Sequence, residues 1–341
     1  MKKLNISIDV GGTHSRLQCE IIEADQVIQK SNEYKAVIGN KTELEKFIQN
    51  SIKDFTNLTP DKCVVGFAGA IIDRQKVAMT NWLKRPVISK NDLIKWGLPK
   101  STFMVNDMEL AGYGLLDLEA ENLIPSKCCE TLYMPQNYSD KYSKHKLIIA
   151  PGTGFGTGCI IETRSNSSDV CYEVISSEVQ HIQIPPFDEK HAEIMKLIFA
   201  KKKNRPYLNH EDFVSGEGLE DIYAALQKID GIRVDNKKAA GIADLALKNK
   251  DHLAIEALNY FYRVAGRIVQ AMCLVVQPYG GIFLCGASTE TNVDFIPQSD
   301  FLKELHNSLI RKEMLEQYPV YIVTKPDINI AGGLWACREK I

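Results

Sequence analysis

Apolar positions cluster in short runs near the start of the chain and in longer one-sided stripes toward its end. Three apolar runs, at about 4–9, 15–23 and 26–34, predict three strands. The stripe Leu44, Phe47, Ile48, Ile52 and Phe55 predicts a helix over 43–55, with Thr42 and Glu45 spaced as a capping box. The run Cys63-Val64-Val65-Gly66-Phe67-Ala68 reads as a buried strand, with a paired strand near Val77-Ala78-Met79-Thr80. A helix near 89–96 then leads to the strand Thr102-Phe103-Met104-Val105. The order βββαββαβ is that of a mixed α/β unit.

A second unit opens with the strand Leu147-Ile148-Ile149-Ala150. It passes through Pro151-Gly152-Thr153-Gly154-Phe155-Gly156 and returns as Cys159-Ile160-Ile161. This repeats the arrangement over residues 4–20, a strand meeting a Gly/Thr turn and returning, and predicts a duplicated fold. Helices are expected at 189–202, 217–228, 238–248 and 252–275. The last carries Leu253, Leu258, Phe261, Ala265, Ile268 and Met272 on one core-facing stripe. Strands at Gly281-Ile282-Phe283-Leu284-Cys285 and Val320-Tyr321-Ile322-Val323 follow, then a last helix near Ala331-Gly332-Gly333-Leu334. The stretch 136–146 reads as an exposed polar loop.

Composition narrows the function classes. With 341 residues, 45% of them hydrophobic, the chain can bury two domains. The 41 basic and 43 acidic residues leave a net charge of −2 and no basic field for a nucleic-acid backbone. No apolar stretch approaches the ~20 residues of a membrane helix. Residues 1–4 enter a strand without a secretory segment, so a cytoplasmic protein is expected. Nine scattered cysteines without a Cys-x-x-Cys pair fit reduced thiols rather than a zinc ribbon. The adjacent Cys128-Cys129 is expected to be structural.

The most informative motif is Asp9-Val10-Gly11-Gly12-Thr13, which closes the first strand. Its glycines let backbone N–H groups approach an anion, and its carboxylate can face the accompanying cation. The same residues also suit an ordinary hairpin turn. The second Gly/Thr turn, at 152–154, favours the phosphate reading. No Gly-x-x-x-x-Gly-Lys-Ser/Thr is present, and no Gly-x-Gly-x-x-Gly opens a helix, so both common nucleotide fingerprints are disfavoured. Two β-turn phosphate clamps, one per half, are left. Asp107, at a predicted helix start, reads alone as an N-cap. Glu178-x-x-His181 reads alone as a surface pair or half a metal site, Glu211 as a solvated charge, and Arg16 as one member of a surface ion pair.

In order along the chain, Asp9-Val10-Gly11-Gly12-Thr13 with Arg16, Ala78-Met79-Thr80-Asn81, Asn106-Asp107, Gly152-Thr153-Gly154, Glu178-x-x-His181, Glu211 before Ser215-Gly216, and Gly281-Ile282-Phe283 resemble the bacterial-type glucokinases of the actin-like ATPase and hexokinase superfamily. The similarity runs over essentially the whole chain. It implies an α/β fold of two actin-like (ribonuclease H-like) domains, with mixed sheets flanked by helices around a deep cleft. The small domain would span 1–108, completed by the C-terminal helix at about 326–341, and the large one 109–325.

The resemblance further implies ATP-dependent phosphorylation of D-glucose at its 6-hydroxyl, the first step of glycolysis, by a homodimer. Asp107 would be the base. Asp9 would hold Mg²⁺ through water, which Mg²⁺ gives up reluctantly. Asp9, Val10, Gly11, Gly12, Thr13, Arg16, Gly152, Thr153, Gly154 and Gly286 would surround ATP, and Asn81, Asn106, Asp107, Glu178, His181 and Glu211 the sugar. Buried acceptors of this kind discriminate strongly between hydroxyl patterns.

The chain departs from the family pattern at His14, Met108, Val179-Gln180 and Ala287. None of these removes a proposed catalytic group. Val179-Gln180 stands where the family often has Gly-Gly, which keeps kinases of another hexose or amino sugar open. A non-catalytic sugar-binding regulator is a further alternative. It is disfavoured by Asp107 and by the absence of a segment fit to read DNA. Actin-like chaperone or filament ATPases lack the Glu178/His181/Glu211 set.

Overall fold

The computed structural model describes residues 2–12, 14–55, 57–79, 82–138, 144–164, 170–203, 205–325 and 328–339. Thr13, Thr80, Asn81 and residues 139–143 of the expected polar loop lie outside the described residues. The chain forms two compact units, one of Met1–Lys127 with Asp327–Ile341, the other of Cys128–Pro326.

In the first unit the strands are β1 (Lys3–Val10), β2 (His14–Glu23), β3 (Gln26–Lys30), β4 (Tyr34–Val37), β5 (Pro60–Phe67), β6 (Ile71–Ile72), β7 (Lys76–Ala78), β8 (Val87–Ser89) and β9 (Thr102–Asn106). The main sheet runs β3-β2-β1-β5-β9, with β4 also on β2. β1 is antiparallel to β2 and parallel to β5, and β5 is parallel to β9. The expected third strand is therefore two, β3 and β4. The expected partner of the 63–68 strand is not its partner, because β7 pairs with β6 and β8 in a separate small sheet. The first helix, Lys41–Ile52, starts earlier than expected. Asn40 caps it by accepting from Glu43 N, while Glu43 accepts from Gly39 N, so Asn40 rather than Thr42 is the cap.

β1 is buried on both faces. Leu4, Ile6, Ile8 and Val10 join Leu44 and Ile48 in the core. By the period-two alternation of a strand, Asn5, Ser7 and Asp9 share the other face, which the C-terminal helix Ile328–Glu339 covers. That helix also packs against the helix Asp107–Ala120. A Cβ on Gly332 would collide with the Leu110 carbonyl and the Gly114 backbone, and one on Gly333 with Ser7. This backbone-close contact assigns helix Asp107–Ala120 to the first unit and moves the division from the expected 108 to 127. Arg338 fixes the same helix by reaching buried Glu20 at 2.7 Å and Asp117 at 2.9 Å.

The second unit contains β10 (Cys129–Tyr133), β11 (Lys146–Pro151), β12 (Phe155–Arg164), β13 (Val170–Ser177), β14 (Ile282–Leu284) and β15 (Val320–Val323). Its sheet runs β13-β12-β11-β14-β15-β10. The first five positions repeat the order and strand directions of β3-β2-β1-β5-β9. The duplication expected from the two Gly/Thr turns is thus present in the topology. β10 and β13 have no counterpart among the expected elements. Both are edge strands with little burial, and their apolar residues do not alternate with polar ones as those of a half-buried strand do. The helices Glu189–Lys201, Gly216–Ile229, Ala239–Leu247 and His252–Val276 fall where the pattern places them, and the stripe of the last is buried.

All nine cysteines are free thiols. Burial pushes the Cys337 and Cys129 thiols up to about 12, which suits structural rather than reactive roles. Among the described residues no helix is long and apolar enough to cross a membrane.

Candidate active site

In the first unit, the parallel strands β1, β5 and β9 end on one edge, with Val10, Phe67 and Asn106 in register. Asp9 and Asp107 therefore flank the carboxyl ends of strands two positions apart, about 10 Å by strand spacing. Open α/β sheets bind ligands at such edges. Asp9 is buried and accepts from Asn329 Nδ2 of the C-terminal helix at 3.4 Å. Burial pushes its carboxyl up to about 6, against the nearby Arg16 guanidinium, which lowers it. Arg16 lies opposite Asp9 in the β1–β2 register.

Two expectations change here. Gly11 donates its N–H to the His14 carbonyl at 3.0 Å, and a Cβ at Gly11 would lie 2.8 Å from that oxygen. Its amide closes the turn instead of facing an anion. Val10 is a fully buried core residue whose carbonyl accepts from Ala68 N.

Asn106 caps the helix Asp107–Ala120. Its Oδ1 accepts from Met108 N at 2.8 Å and its Nδ2 donates to the Gly69 carbonyl at 3.1 Å. Its backbone N–H meets Glu109 in a capping box, and Arg74 holds Glu109 at 2.6 Å. The carboxamide expected to meet a sugar thus binds backbone at both ends and fixes the strand-to-helix corner. Asn106 is the cap, and it shares the Met108 N–H with the Asp107 carboxylate. Asp107 sits partly exposed in the first turn, and its Oδ1 accepts from Met108 N at 3.0 Å.

In the second unit, Glu178, His181 and Glu211 converge. His181 Nε2 is 3.4 Å from Glu178 Oε2, and its Nδ1 is 3.4 Å from Glu211 Oε2. The Glu178–His181 surface pair of the sequence reading is present and Glu211 joins it, but Glu178 and His181 are about half exposed, not buried as the sugar-binding expectation had them. Two short 3₁₀ turns present it, Val179–His181 and His210–Asp212. His210 joins them by donating from Nδ1 to the Ile182 carbonyl at 2.9 Å. Burial lowers the His210 pKa, which keeps the ring neutral.

The Gly152–Gly154 turn stands beside this group, since a Cβ on Gly154 would lie 2.7 Å from Glu211 Oε1. As at Gly11, the first amide of the turn is used internally: Gly152 N donates to the Gly154 carbonyl at 2.8 Å. On the other side of the turn a cavity of about 300 Å³ is lined by Gly152, Thr153, Ser215, Ala239, Ala287 and Ser288. Gly286, at the end of β14, has φ +94°, a left-handed conformation that favours glycine, and leads directly into Ala287 and Ser288. Small apolar walls with a Gly/Thr rim suit a purine nucleoside with its phosphates at the turn. Ala287 fits this wall as it stands.

Sequence reasoning named Ser215 and Gln180 without giving either a site role, and did not find Asn329, Ala239, Thr157 or Asn209, whose Nδ2 lies 3.4 Å from His181 Nδ1. Asn329 meets Asp9 from the far end of the chain and has no local signal. Gln180 and Asn209 stand beside residues that were found, and their roles are visible only once the two turns are folded.

Among the described residues no three or more His, Cys, Asp or Glu side chains cluster as a metal cage. One buried carboxylate at a Gly turn suits Mg²⁺ that keeps its waters and shares the phosphates.

A duplicated mixed sheet with a glycine-bearing turn after the first strand of each copy is the actin-like ATPase fold. The glucokinase family model matches residues 6–340, and the chain belongs to that family. A Rhizobium etli glucokinase is 24% identical over 95% of this chain and 88% of its own length. The crystal structure of glucokinase from Balamuthia mandrillaris in complex with glucose superposes with a TM-score of 0.84 at 24% identity, covering 99% of this chain and 94% of that one. A ROK family glucokinase from Streptomyces griseus in complex with glucose and AMPPNP gives a TM-score of 0.62 at 17% identity, over 98% of this chain and 99% of that one.

Proposed function

We propose that the protein transfers the γ-phosphoryl group of ATP to the 6-hydroxyl of D-glucose, releasing ADP and glucose 6-phosphate. The observation that carries this reading is the convergence of Glu178, His181 and Glu211 beside the Gly152–Gly154 turn. It sets a hydroxyl-reading cluster next to a phosphate-type turn within one unit.

The sugar 6-oxygen attacks the γ-phosphorus, the bond from that phosphorus to the bridging oxygen of ADP breaks, and Asp107 takes the hydroxyl proton. Glu178, His181 and Glu211 bind the remaining hydroxyls and orient the nucleophile. On this reading the amides of Thr153 and Gly154 in the second unit, and the Gly12 amide and Arg16 guanidinium in the first, would bind phosphate oxygens, and Asn106 caps the helix that Asp107 opens. Asp9 would hold hydrated Mg²⁺, which neutralises phosphate charge when bound. Burial that opposes ionisation of Asp9 fits a carboxylate completed by a cation. The same reading gives a cytoplasmic homodimer, checked by sedimentation.

A coupled ADP-release assay across a panel of hexoses tests the reading. ADP release that requires sugar and is fastest with glucose is expected. ATP turnover without sugar stimulation would overturn it.

A further inference from the structure

We infer that Gln180 is a positioning residue for sugar recognition, the middle link of a relay from Thr157 through Gln180 to Glu178. The inference rests on the sugar-binding reading above. Gln180 lies between two half-exposed residues, Glu178 at 53% and His181 at 52% side-chain exposure, yet is itself only 7% exposed. A polar side chain buried to that degree needs partners at both ends of its carboxamide. It has them. Nε2 donates to Glu178 Oε2 at 2.7 Å, and Oε1 accepts from Thr157 Oγ1 at 3.3 Å.

Chemistry fixes the orientation of this amide. A carboxylate only accepts, so the NH₂ group must face Glu178 and the carbonyl must face the hydroxyl. Thr157 is fully buried on β12, three residues after the Gly152–Gly154 turn, and its single proton is shared between Gln180 Oε1 and the Ser177 carbonyl at 3.2 Å. The strand that leaves the phosphate turn thereby holds the sugar carboxylate. With Oε2 committed to Gln180 and facing His181, Glu178 presents Oε1 to the sugar in one orientation. A half-exposed glutamate without this link would lose rotamer freedom only on binding, at a cost in affinity.

The test compares Gln180→Met, which keeps the volume and removes both hydrogen bonds, with Glu178→Ala and the double variant. Glucose affinity is measured by calorimetry without ATP, and KM for glucose and for ATP by turnover. Loss of a hydrogen bond to a charged group predicts a Kd and KM for glucose raised about 10- to 100-fold in Gln180→Met, with KM for ATP unchanged. The double variant is expected to be no weaker than Glu178→Ala, because Gln180 acts through Glu178. Thr157→Val cuts the relay at its other end and should give the same pattern at about 3- to 10-fold, which keeps the test alive if Gln180→Met fails to fold. Sugar affinity within twofold of the unsubstituted protein, or strictly additive effects of the two substitutions, would overturn the relay. A protein that binds a hexose without phosphorylating glucose refutes the activity reading alone, and its affinity for that hexose then decides the relay in the same variants. A protein that binds no hexose overturns both.

Discussion

Gly154→Ala separates the site from the fold more cleanly than any other single substitution. A Cβ at this position would lie 2.7 Å from Glu211 Oε1 and 3.8 Å from its Cδ. Ordinary carbon contacts begin near ~3.4 Å, so the carboxylate must retreat by about 0.7 Å or swing aside. The obstructing atom is the end of a flexible side chain, and Gly154 does not need a left-handed φ. The fold therefore loses little, within about 1 kcal/mol. Sugar binding loses more. Glu211 Oε2 already stands at 3.4 Å from His181 Nδ1, so further displacement dissolves that pairing. The same displacement takes Glu211 from the sugar hydroxyl it accepts from in the proposed reading, a loss of about 1.5–3 kcal/mol, or roughly 10- to 150-fold in KM for glucose. The assay pairs glucose-dependent ADP release with urea unfolding of the same preparation. Unchanged KM for glucose, or a loss of activity that follows a loss of stability, would refute the argument.

Three further outcomes are expected. Gly332→Ala sets a Cβ against the backbone of Leu110 and Gly114, which cannot move aside, so unfolding should show a destabilisation of about 3 kcal/mol. Arg338→Met removes the guanidinium that reaches buried Glu20 and Asp117 and should cost about 3–5 kcal/mol by chemical denaturation. His191 is fully buried among Phe187, Phe213 and Tyr260, and burial lowers its pKa from the ordinary 6.5 to about 4. The unfolded chain takes up this proton first, so His191's contribution is intact above pH 6.5 and is lost as pH falls toward 4. About 2 kcal/mol is gone by pH 5. Denaturant titrations from pH 7 to 5 should show this loss in the unsubstituted protein and a smaller one in His191→Gln.

The duplicated architecture was legible because each half repeats an apolar strand, a Gly/Thr turn and a returning strand, a signal carried by local residues. The core helices were legible from their stripes. Edge strands β10 and β13 were not, because their apolar residues do not alternate with polar ones. The assignment of helix Asp107–Ala120 was not, because it depends on Gly114 meeting Gly332 across more than two hundred positions of sequence. At the site, the sequence could nominate Glu178, His181 and Glu211 only by resemblance, since each looks like a surface charge. Folding brings the two ring nitrogens of His181 to 3.4 Å from Glu178 and from Glu211. Asn106 and Gly11 show the converse. Both stand in motifs that read as ligand-facing, yet their polar groups serve the backbone, the one as a helix cap and the other as a turn closure.

The central claim is that Asp107 accepts a proton from a sugar held for phosphoryl transfer from ATP. Its most direct test compares the unsubstituted protein with Asp107→Asn, following product by phosphorus NMR and glucose affinity by calorimetry. The account predicts glucose 6-phosphate and ADP in equal amounts from the unsubstituted protein. In the variant it predicts glucose affinity within about tenfold and kcat reduced by at least about 10³-fold. A variant that turns over at a near-normal kcat would contradict it.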